Sequence, residues 1–205
     1  MLTPSFRCLY HGKAFTLLPP HWPITAANIV RCIASSPTPP VQHFAVPYVL
    51  KLLAESPAGV QSLASMEAVS FAGAAVPDEL GDRLVSAGVP LYSQYGTTET
   101  GALLTSRRDY TADKAWNWLR VEGLIASYLD LVPRGSGTYE AVVRDGWPGK
   151  VMSNREDGAY CTKDLFVKHP EHDDWVKYVG RLDDTLTLTL GEKTNPVPIE
   201  LDIVS

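Results

Sequence analysis

The segment from residue 92 to residue 101 reads YSQYGTTETG and concentrates groups that suit a phosphate-bearing ligand. Its glycines let the backbone approach a ligand closely, and its threonine hydroxyls and nearby amides are donors for phosphate oxygens. Glu99 is suited to hold a Mg²⁺ ion that bridges those oxygens, and Tyr95 offers a flat face for a purine. The alternative is a threonine-rich strand that leads into a loop, with Glu99 exposed to water.

The elements on either side place this segment at the end of a strand. Residues 67–73 (EAVSFAG) and 89–96 (VPLYSQYG) are strand-like, and residues 77–88 (PDELGDRLVSAG) between them are helix-like and end at a glycine. Two strands joined by a helix of this length indicate a βαβ unit and therefore a parallel sheet. Because ligands bind at the carboxyl ends of the strands in such sheets, residues 71–75 and 94–96 are expected to face a ligand.

The first third of the chain predicts two helices and one strand. Thr25 is placed to cap a helix over AANIVRCIAS, in which apolar residues recur at helical spacing. VPYVLKLLAES (46–56) predicts a second helix, since a proline is tolerated in the first turn. AFTLLPP (14–20) is a short apolar run closed by prolines and predicts a buried strand.

After residue 120 the pattern changes to that of antiparallel strands. Residues 124–132 and 138–145 flank the turn sequence PRGSG and predict a hairpin. Residues 175–180 and 185–191 predict two more strands, and the second (TLTLTLG) alternates leucine with threonine as a half-buried strand does. The predicted fold class is α/β, with a parallel βαβ sheet layer followed by an antiparallel β subdomain.

Composition argues against some kinds of partner. The formal net charge is -5 and basic residues are scattered, which argues against a nucleic-acid partner. Cys8, Cys32 and Cys161 lie far apart with no CxxC spacing, so reduced thiols are expected rather than disulfides or a zinc site. The sequence contains neither a signal-peptide pattern nor an apolar run of roughly 18 residues, the length of a membrane helix. We therefore expect a cytoplasmic protein without a membrane partner.

Four motifs in a fixed order resemble those of the adenylate-forming (AMP-binding) superfamily. FAGAAVP, YGTTETG, YCTKDLF and GRLDD follow the order of that family's GGA-like loop, YGxTE, YxTGD and GRxDD motifs. TKDLF, WVKYVGRLDD and GEKTNPVPIE are similar in particular to the adenylation domains of fungal NRPS-like enzymes and carboxylic acid reductases. The resemblance covers residues 71–200 and implies an incomplete large N-terminal domain of an adenylate-forming enzyme.

This resemblance implies that ATP or AMP binds with its adenine against the first two motifs. Gly73, Ala74 and Ala75 would form the loop that lies against the adenine ring. Tyr95 would stack on that ring, and Gly96 would let the chain pass close to the nucleotide.

The same resemblance assigns residues to the phosphate, the metal and the ribose. Thr98 would contact the α-phosphate and Glu99 would be the Mg²⁺ ligand, so these two residues are the catalytic candidates. Asp164 would accept hydrogen bonds from both ribose hydroxyls, and Arg181 would reach the ribose or a phosphate. Asp183 matches the hinge about which a C-terminal lid domain swings.

Departures from the family pattern bear on activity. Lys163 replaces the glycine of YxTGD, and residues 1–70 contain no match to the family's phosphate loop. The lid and its catalytic lysine are expected to lie outside the chain, so the chain by itself is expected to have little activity. The expected organisation is an α/β nucleotide-binding part over 1–120, a β-rich subdomain over 121–182, and the hinge with the start of the lid over 183–205.

The implied parent activity is activation of a small carboxylic acid. The carboxylate attacks the α-phosphorus of Mg-ATP, and the acyl-adenylate then passes to the phosphopantetheine thiol of a carrier domain. The tail GEKTNPVPIE favours that acceptor over the coenzyme A of acyl-CoA ligases. Two rivals stay open: a truncated, non-catalytic nucleotide-binding fragment or pseudo-enzyme, and an unrelated α/β nucleotide-binding module. The identity of the acid also stays open.

Other conspicuous residues are expected to have no chemical role. Trp116 and Trp118 are expected to pack in the core, and His169 and His172 are expected to be solvated in the charged turn HPEHDD. The sequence LVPRGS (131–136) matches a thrombin cleavage sequence, but it joins two predicted strands and is therefore interpreted as native.

Overall fold

The computed structural model describes residues 8–183, 186–187 and 193–194, which group into two compact units. The described residues up to Ala74, together with Asp78–Tyr92, form the first unit. Ala75–Pro77 and the described residues from Ser93 onward form the second. The functional subdivision expected after residues 120 and 182 stays a prediction beside this division by packing.

Helices in the first unit begin at local capping signals. The Thr25 hydroxyl accepts the Asn28 N–H at 3.2 Å, and the Ser56 hydroxyl accepts the Gly59 N–H at 3.1 Å. Each bond satisfies an amide that has no partner inside the helix. The helices predicted to follow Thr25 and to span residues 46–56 are confirmed. The helices with both ends described are α1 (Ala26–Ala34), α2 (Pro47–Ala54), α3 (Pro57–Ala64) and α4 (Asp78–Ser86).

The turn between α2 and α3 is tight enough to require glycine. A Cβ atom on Gly59 would lie 2.1 Å from the Leu53 carbonyl oxygen, so no larger residue fits there. The turn brings the buried side chains of Leu50, Leu53 and Leu63 into the core of the unit. At the end of α4, Gly88 adopts a positive φ of 85°, as the sequence predicts for a helix-ending glycine.

Strands β1 (Gln42–Ala45) and β2 (Ala68–Phe71) pair in parallel within the first unit. Every residue of β2 is buried, which is typical of a strand covered on both faces. The Val69 N–H also donates to the Pro90 carbonyl at 2.9 Å. A parallel layer is thereby confirmed, although its strand β1 was not predicted from the sequence.

The strand predicted over residues 14–20 is wrong. Within the described part of the chain this segment pairs with no strand, and residues 14–17 are exposed. Pro19 and Pro20 have no N–H to contribute to a ladder. A short apolar run therefore indicates a strand only when a neighbour is present to pair with it.

Antiparallel strands make up the second unit, together with the 3-10 helix Gly123–Ser127. They are β3 (Leu91–Thr97, whose first two residues belong to the first unit), β4 (Gly101–Thr105), β5 (Leu119–Arg120), β6 (Leu129–Gly135), β7 (Thr138–Val143), β8 (Tyr160–Lys168) and β9 (Trp175–Arg181). Their spatial order is β3-β4-β5-β9-β8-β7-β6. Each pair of neighbours in this order is antiparallel, which confirms the predicted antiparallel subdomain.

The predicted hairpin corresponds to β6 and β7, although the start of the segment 124–132 is in the 3-10 helix rather than a strand. The strand predicted over 175–180 is β9. Of the predicted strand 185–191, only β10 (Leu186–Thr187) is described, and it pairs antiparallel with β11 (Lys193–Thr194). The other residues of that prediction lie outside the described residues.

Aromatic residues pack in two ways in the second unit. Trp116 is almost fully buried, as expected for a core residue. Trp118 packs edge-on against His169 with ring centroids 4.5 Å apart, and His172 stacks on Trp175 at 4.0 Å. His172 is exposed, as expected for this turn, whereas His169 is half-buried against the Trp118 ring. The apolar core of this unit consists of Leu103, Leu104, Leu119, Ile125, Leu129, Ala141, Val143, Phe166 and Val176.

The cysteines and helices give no sign of a disulfide or a membrane span. Cys8, Cys32 and Cys161 are free thiols. Across the part of the chain that the structure describes, no helix is long and apolar enough to cross a lipid bilayer.

Candidate functional site

Three predicted site residues that lie far apart in the sequence come together in the second unit. The Tyr95 hydroxyl on β3 donates to Asp164 Oδ2 on β8 at 2.7 Å. Arg181 is the register partner of Asp164 on the adjacent strand β9, and its Nη1 lies 3.5 Å from Asp164 Oδ1. The sheet thus gathers one residue from each of three sequence motifs.

Asp164 is a buried acceptor at the centre of this group. Only 6% of the residue is exposed, and this burial raises the pKa of its carboxyl group. The hydrogen bond from Tyr95 and the charge of Arg181 act in the opposite direction. Each carboxylate oxygen has a second lone pair, so the group remains able to accept hydrogen bonds from a ligand.

Tyr95 is held by packing as well as by its hydroxyl. Its ring lies edge-on to Phe166 at 4.8 Å and roughly parallel to Tyr178 at 6.4 Å. Burial, followed by the charge of Asp164, raises the pKa of the Tyr95 hydroxyl, so that it stays a neutral donor. The sequence did not single out these ring contacts, and stacking of adenine on Tyr95 stays a prediction.

Glu99 lies in the turn after β3 and is partly exposed. Hydrogen bonds from its own backbone amide, from Thr97 and from Tyr160 lower the pKa of its carboxyl group, and the charge of Arg181 adds to the effect. The tyrosine responds in the opposite sense, because burial and the charge of Glu99 raise the pKa of Tyr160. Glu99 is therefore an ionised carboxylate at neutral pH, as a Mg²⁺ ligand requires, and its role as that ligand stays a prediction.

The turn that carries Thr98 and Glu99 is held by its neighbours. The Thr100 N–H donates to the Thr97 hydroxyl at 3.2 Å, and the Trp147 indole N–H donates to the Thr100 carbonyl at 2.8 Å. The side chain of Thr98 itself is exposed. The structure thus presents Thr98 to solvent on a constrained backbone, and its contact with a phosphate stays a prediction.

Gly96 has a structural reason for being glycine. A Cβ atom there would lie 2.2 Å from the Gly101 carbonyl oxygen, and the pairing of β3 with β4 slips between Tyr95 and Gly96. The close approach of the two strands therefore already excludes a side chain. A nucleotide contact would be an additional role.

Arg181 also binds a second carboxylate at the edge of the site. Its Nε and Nη2 donate to the two oxygens of Asp183 at 2.8 and 2.9 Å. Lys163 Nζ lies 3.6 Å from the same carboxylate. The bidentate bond from Arg181 lowers the pKa of Asp183 to about 2. The predicted hinge position is therefore held between two cations.

Lys163 occupies a backbone conformation that glycine adopts more easily. Its φ is 62°, in the left-handed region. The family pattern has glycine at this position, and the structure supplies the reason. The lysine keeps the same backbone path and adds a charge beside Asp183.

The loop formed by Gly73, Ala74 and Ala75 follows β2. Gly73 has a φ of 94°, which explains the glycine, and the side chain of Ala74 is exposed. Gly73 and Ala74 belong to the first unit, whereas Ala75 belongs to the second. Their contact with adenine stays a prediction.

Sequence reasoning missed Tyr160, Glu140 and Tyr178. Tyr160 had a signal, because it opens the motif YCTKDLF that contains Asp164. Tyr178 likewise lies in the quoted segment WVKYVGRLDD, whereas Glu140 had no signal, since its contacts depend on which strands are neighbours. Among the residues that the structure describes, no group of three or more His, Cys, Asp and Glu side chains is arranged to hold a metal ion.

Comparison with known proteins points to one kind of enzyme. The chain is 36% identical over 165 residues to the adenylate-forming reductase Nps11 of Serpula lacrymans, covering 78% of the chain and 15% of that protein. It is 32% identical over 160 residues to a carboxylic acid reductase of Neurospora crassa, covering 75% and 15%. The chain thus spans about 15% of the length of these curated relatives. No protein-family model matches the chain.

Solved structures show the same fold. The O-succinylbenzoate coenzyme A synthetase of Bacillus subtilis in complex with ATP and magnesium superimposes with a TM-score of 0.72 at 20% identity, covering 100% of the chain and 43% of that structure. The anthranilate CoA ligase AuaEII in complex with anthranoyl-AMP superimposes with a TM-score of 0.67 at 20% identity, covering 91% and 38%. At this level of identity the likeness establishes the fold.

Proposed function

The chain belongs to the adenylate-forming superfamily, as part of an adenylation domain, and on this premise we propose that it carries the ribose-binding and metal-binding part of a site that joins a carboxylic acid to AMP. The relatives named above are adenylate-forming reductases and a carboxylic acid reductase. They are much longer than this chain, so the activity proposed is that of the complete domain.

One observation carries the proposal. A buried carboxylate, Asp164, lies within hydrogen-bonding distance of Tyr95 and close to Arg181, and the charge of Arg181 also acts on Glu99. An acceptor-only group with spare lone pairs suits a pair of ribose hydroxyls. A guanidinium beside an exposed, ionised carboxylate suits a phosphate accompanied by a metal ion.

In the proposed reaction a carboxylate oxygen of the acid attacks the α-phosphorus of ATP. The bond from that phosphorus to the bridging oxygen breaks, and pyrophosphate leaves with the electron pair. Glu99 would hold Mg²⁺, which when bound neutralises charge on the phosphate oxygens. Asp164 would fix the ribose, and Thr98 with Arg181 would orient the α-phosphate for in-line attack.

We propose a carrier-bound phosphopantetheine thiol as the acceptor of the acyl group. The relatives at 32% identity include a non-canonical non-ribosomal peptide synthetase of Acremonium egyptiacum, over 76% of the chain. Coenzyme A is the alternative acceptor, and the likeness to a CoA ligase favours it only at the level of fold. Thioester formation with a carrier domain or with coenzyme A, assayed on the complete adenylation domain, separates the two.

Calorimetric titration of the chain with AMP, and separately with Mg-ATP, tests the nucleotide site. Changing Asp164 to Asn is expected to weaken AMP binding roughly 10- to 100-fold, because charge-assisted hydrogen bonds to the ribose are lost. Asp130→Asn is the matched control, since Asp130 pairs with Arg144 and lies outside the cluster. No binding by the folded wild-type chain, or equal binding by wild type and Asp164→Asn, would contradict the proposal.

A further inference from the structure

Glu140 is a carboxylate in the interior of the second unit. It lies on β7, and only 2% of the residue is exposed. A buried charge is costly unless it is paired and hydrogen-bonded. Its Oε2 accepts the Arg134 Nε–H at 2.7 Å, and its Oε1 accepts the backbone N–H of Lys163 at 2.9 Å. The second bond ties the buried side chain to the backbone immediately before Asp164.

Strand β8 bulges at this contact. Val142 pairs with Cys161 and Glu140 pairs with Leu165, so β8 carries two more residues than β7 between these pairs. Lys163 lies inside the bulge with a φ of 62°. L residues adopt this left-handed conformation only at an energetic cost, so neighbouring groups must hold it.

In the bulge, side chains make hydrogen bonds that the backbone of the neighbouring strand makes elsewhere in the sheet. The Thr162 hydroxyl donates to the Ala141 carbonyl at 2.9 Å and accepts the Asp164 N–H at 3.1 Å. Glu140 accepts the Lys163 N–H between them. The two side chains therefore define the backbone on which the Asp164 carboxylate is carried.

We propose that Glu140 is a positioning residue for nucleotide recognition: it holds the Lys163 amide, and the bulge so formed aims the Asp164 carboxylate at Tyr95 and at the ribose. Arg134 acts on Asp164 only through Glu140, because it holds the Glu140 carboxylate from the exposed side of the hairpin formed by β6 and β7. The ribose part rests on the proposed function, whereas the placement of Asp164 rests on the geometry alone. The LVPRGS sequence thereby gains a structural role through Arg134.

The test compares three variants of the 205-residue chain. Glu140→Gln preserves the size of the side chain but offers one oxygen where the carboxylate offers two. Arg134→Met leaves the contact with Lys163 and removes its support. Arg144→Met is the matched control, because it breaks an exposed ion pair with Asp130 (Nε to Oδ2, 2.8 Å) on the same hairpin.

Two readouts are measured for each variant. Calorimetry gives the AMP dissociation constant, and NMR gives the Cα chemical shift of Lys163, which reports its left-handed φ. Glu140→Gln is expected to weaken AMP binding roughly tenfold, as loss of a supporting residue typically does, and to move the Lys163 shift. Arg134→Met is expected to have a smaller effect in the same direction, and Arg144→Met none.

Three results decide the inference. It is overturned when Glu140→Gln keeps both the wild-type Lys163 shift and the wild-type affinity. It is equally overturned when Arg144→Met weakens binding as much as Glu140→Gln, since general loosening of the hairpin then explains the loss. When the wild-type chain binds no AMP, the proposed function fails. The Lys163 shift then still tests positioning, because Glu140→Gln must change it.

Discussion

Asp164 and Asp183 share the guanidinium of Arg181, yet their surroundings act on them in opposite directions. Asp164 is buried, lies 3.5 Å from Arg181, and has its pKa raised by burial. Asp183 is exposed, receives two hydrogen bonds from Arg181 at 2.8 and 2.9 Å, and has its pKa lowered to about 2. Arg181 thus contacts two carboxylates, and the charged form is costly at Asp164 but favoured at Asp183.

The two aspartates differ in how firmly each is held by its partner. The buried carboxylate has one strong, fixed partner in the Tyr95 hydroxyl, so its oxygens have a defined direction. The pair between Arg181 and Asp183 is about 40% exposed on both sides, and exposed ion pairs contribute little to stability. Breaking the pair between Arg181 and Asp183 is therefore expected to cost little, which would let Arg181 exchange Asp183 for a phosphate as proposed, whereas the direction of the Asp164 carboxylate stays fixed.

Removing the Tyr95 hydroxyl is expected to have the largest effect. Tyr95→Phe leaves the buried Asp164 carboxylate without its donor at 2.7 Å. Loss of a hydrogen bond to a charged group costs about 2 kcal/mol in the free energy of unfolding at pH 7. Urea denaturation of both proteins measures the difference.

The control for this prediction is Tyr160→Phe, which removes a hydroxyl that bonds the more exposed Glu99. Its effect on stability is expected to be much smaller than that of Tyr95→Phe. Equal effects would mean that burial does not distinguish the two carboxylates.

Opposite pH dependences are the second expected result. The pKa of Asp164 is raised above 3.8, so its contribution to stability is fully present below that value and is lost as the pH rises through the folded pKa. The pKa of Asp183 is lowered, so its contribution is present above 3.8 and is lost as the pH falls through about 2. The free energy of unfolding is measured for Asp164→Asn, Asp183→Asn and wild type from pH 2 to pH 7. The difference between variant and wild type should change with pH in opposite directions for the two variants.

The size of the Asp183 effect follows from its exposure. A pKa shift to about 2 alone would correspond to roughly 2 kcal/mol, but solvent screening of an exposed pair reduces the cost of Asp183→Asn at pH 7 to less than about 1 kcal/mol. High salt should abolish most of this cost and leave that of Tyr95→Phe. A salt-independent loss in Asp183→Asn would refute the description of this pair as exchangeable.

Replacing Lys163 by glycine is expected to have the smallest effect. Relief of the left-handed backbone outweighs the entropy that glycine gains in the unfolded chain, so Lys163→Gly is expected to be about 0.5 kcal/mol more stable than wild type. Lys163→Ala keeps the backbone strain and removes only the contact with Asp183. If thermal unfolding finds Lys163→Ala and Lys163→Gly equally stable, backbone strain at this position does not explain the stability difference between lysine and glycine.

Local signals in the sequence predicted helices better than strands. The capping hydroxyl of Thr25 acts within three residues, so the start of α1 could be predicted without knowing the fold. The start of α3 carried the same kind of signal in Ser56 and was missed. The apolar run at residues 14–20 failed as a strand because a strand needs a partner that no local pattern supplies.

The candidate site divides in the same way. Motif order placed Asp164, Arg181 and Tyr95 on the list of site residues, and the structure brings these three together. The motif YCTKDLF could have added Tyr160, its first residue. Motifs did not reveal that the Tyr95 hydroxyl contacts Asp164, because the two residues are 69 positions apart in the chain.

The sequence by itself determined the fold class, the helix caps and the residue types of the site, because each depends on short-range periodicity or on chemistry carried within one motif. Only the tertiary structure decided how those residues are charged and held. Burial raises the pKa of Asp164 and the hydrogen bonds from Arg181 lower that of the exposed Asp183, although both are aspartates beside the same arginine. The role of Glu140 likewise arises from the pairing of β7 with a bulged β8, since a hydrogen bond across strands exists only once the strands are neighbours.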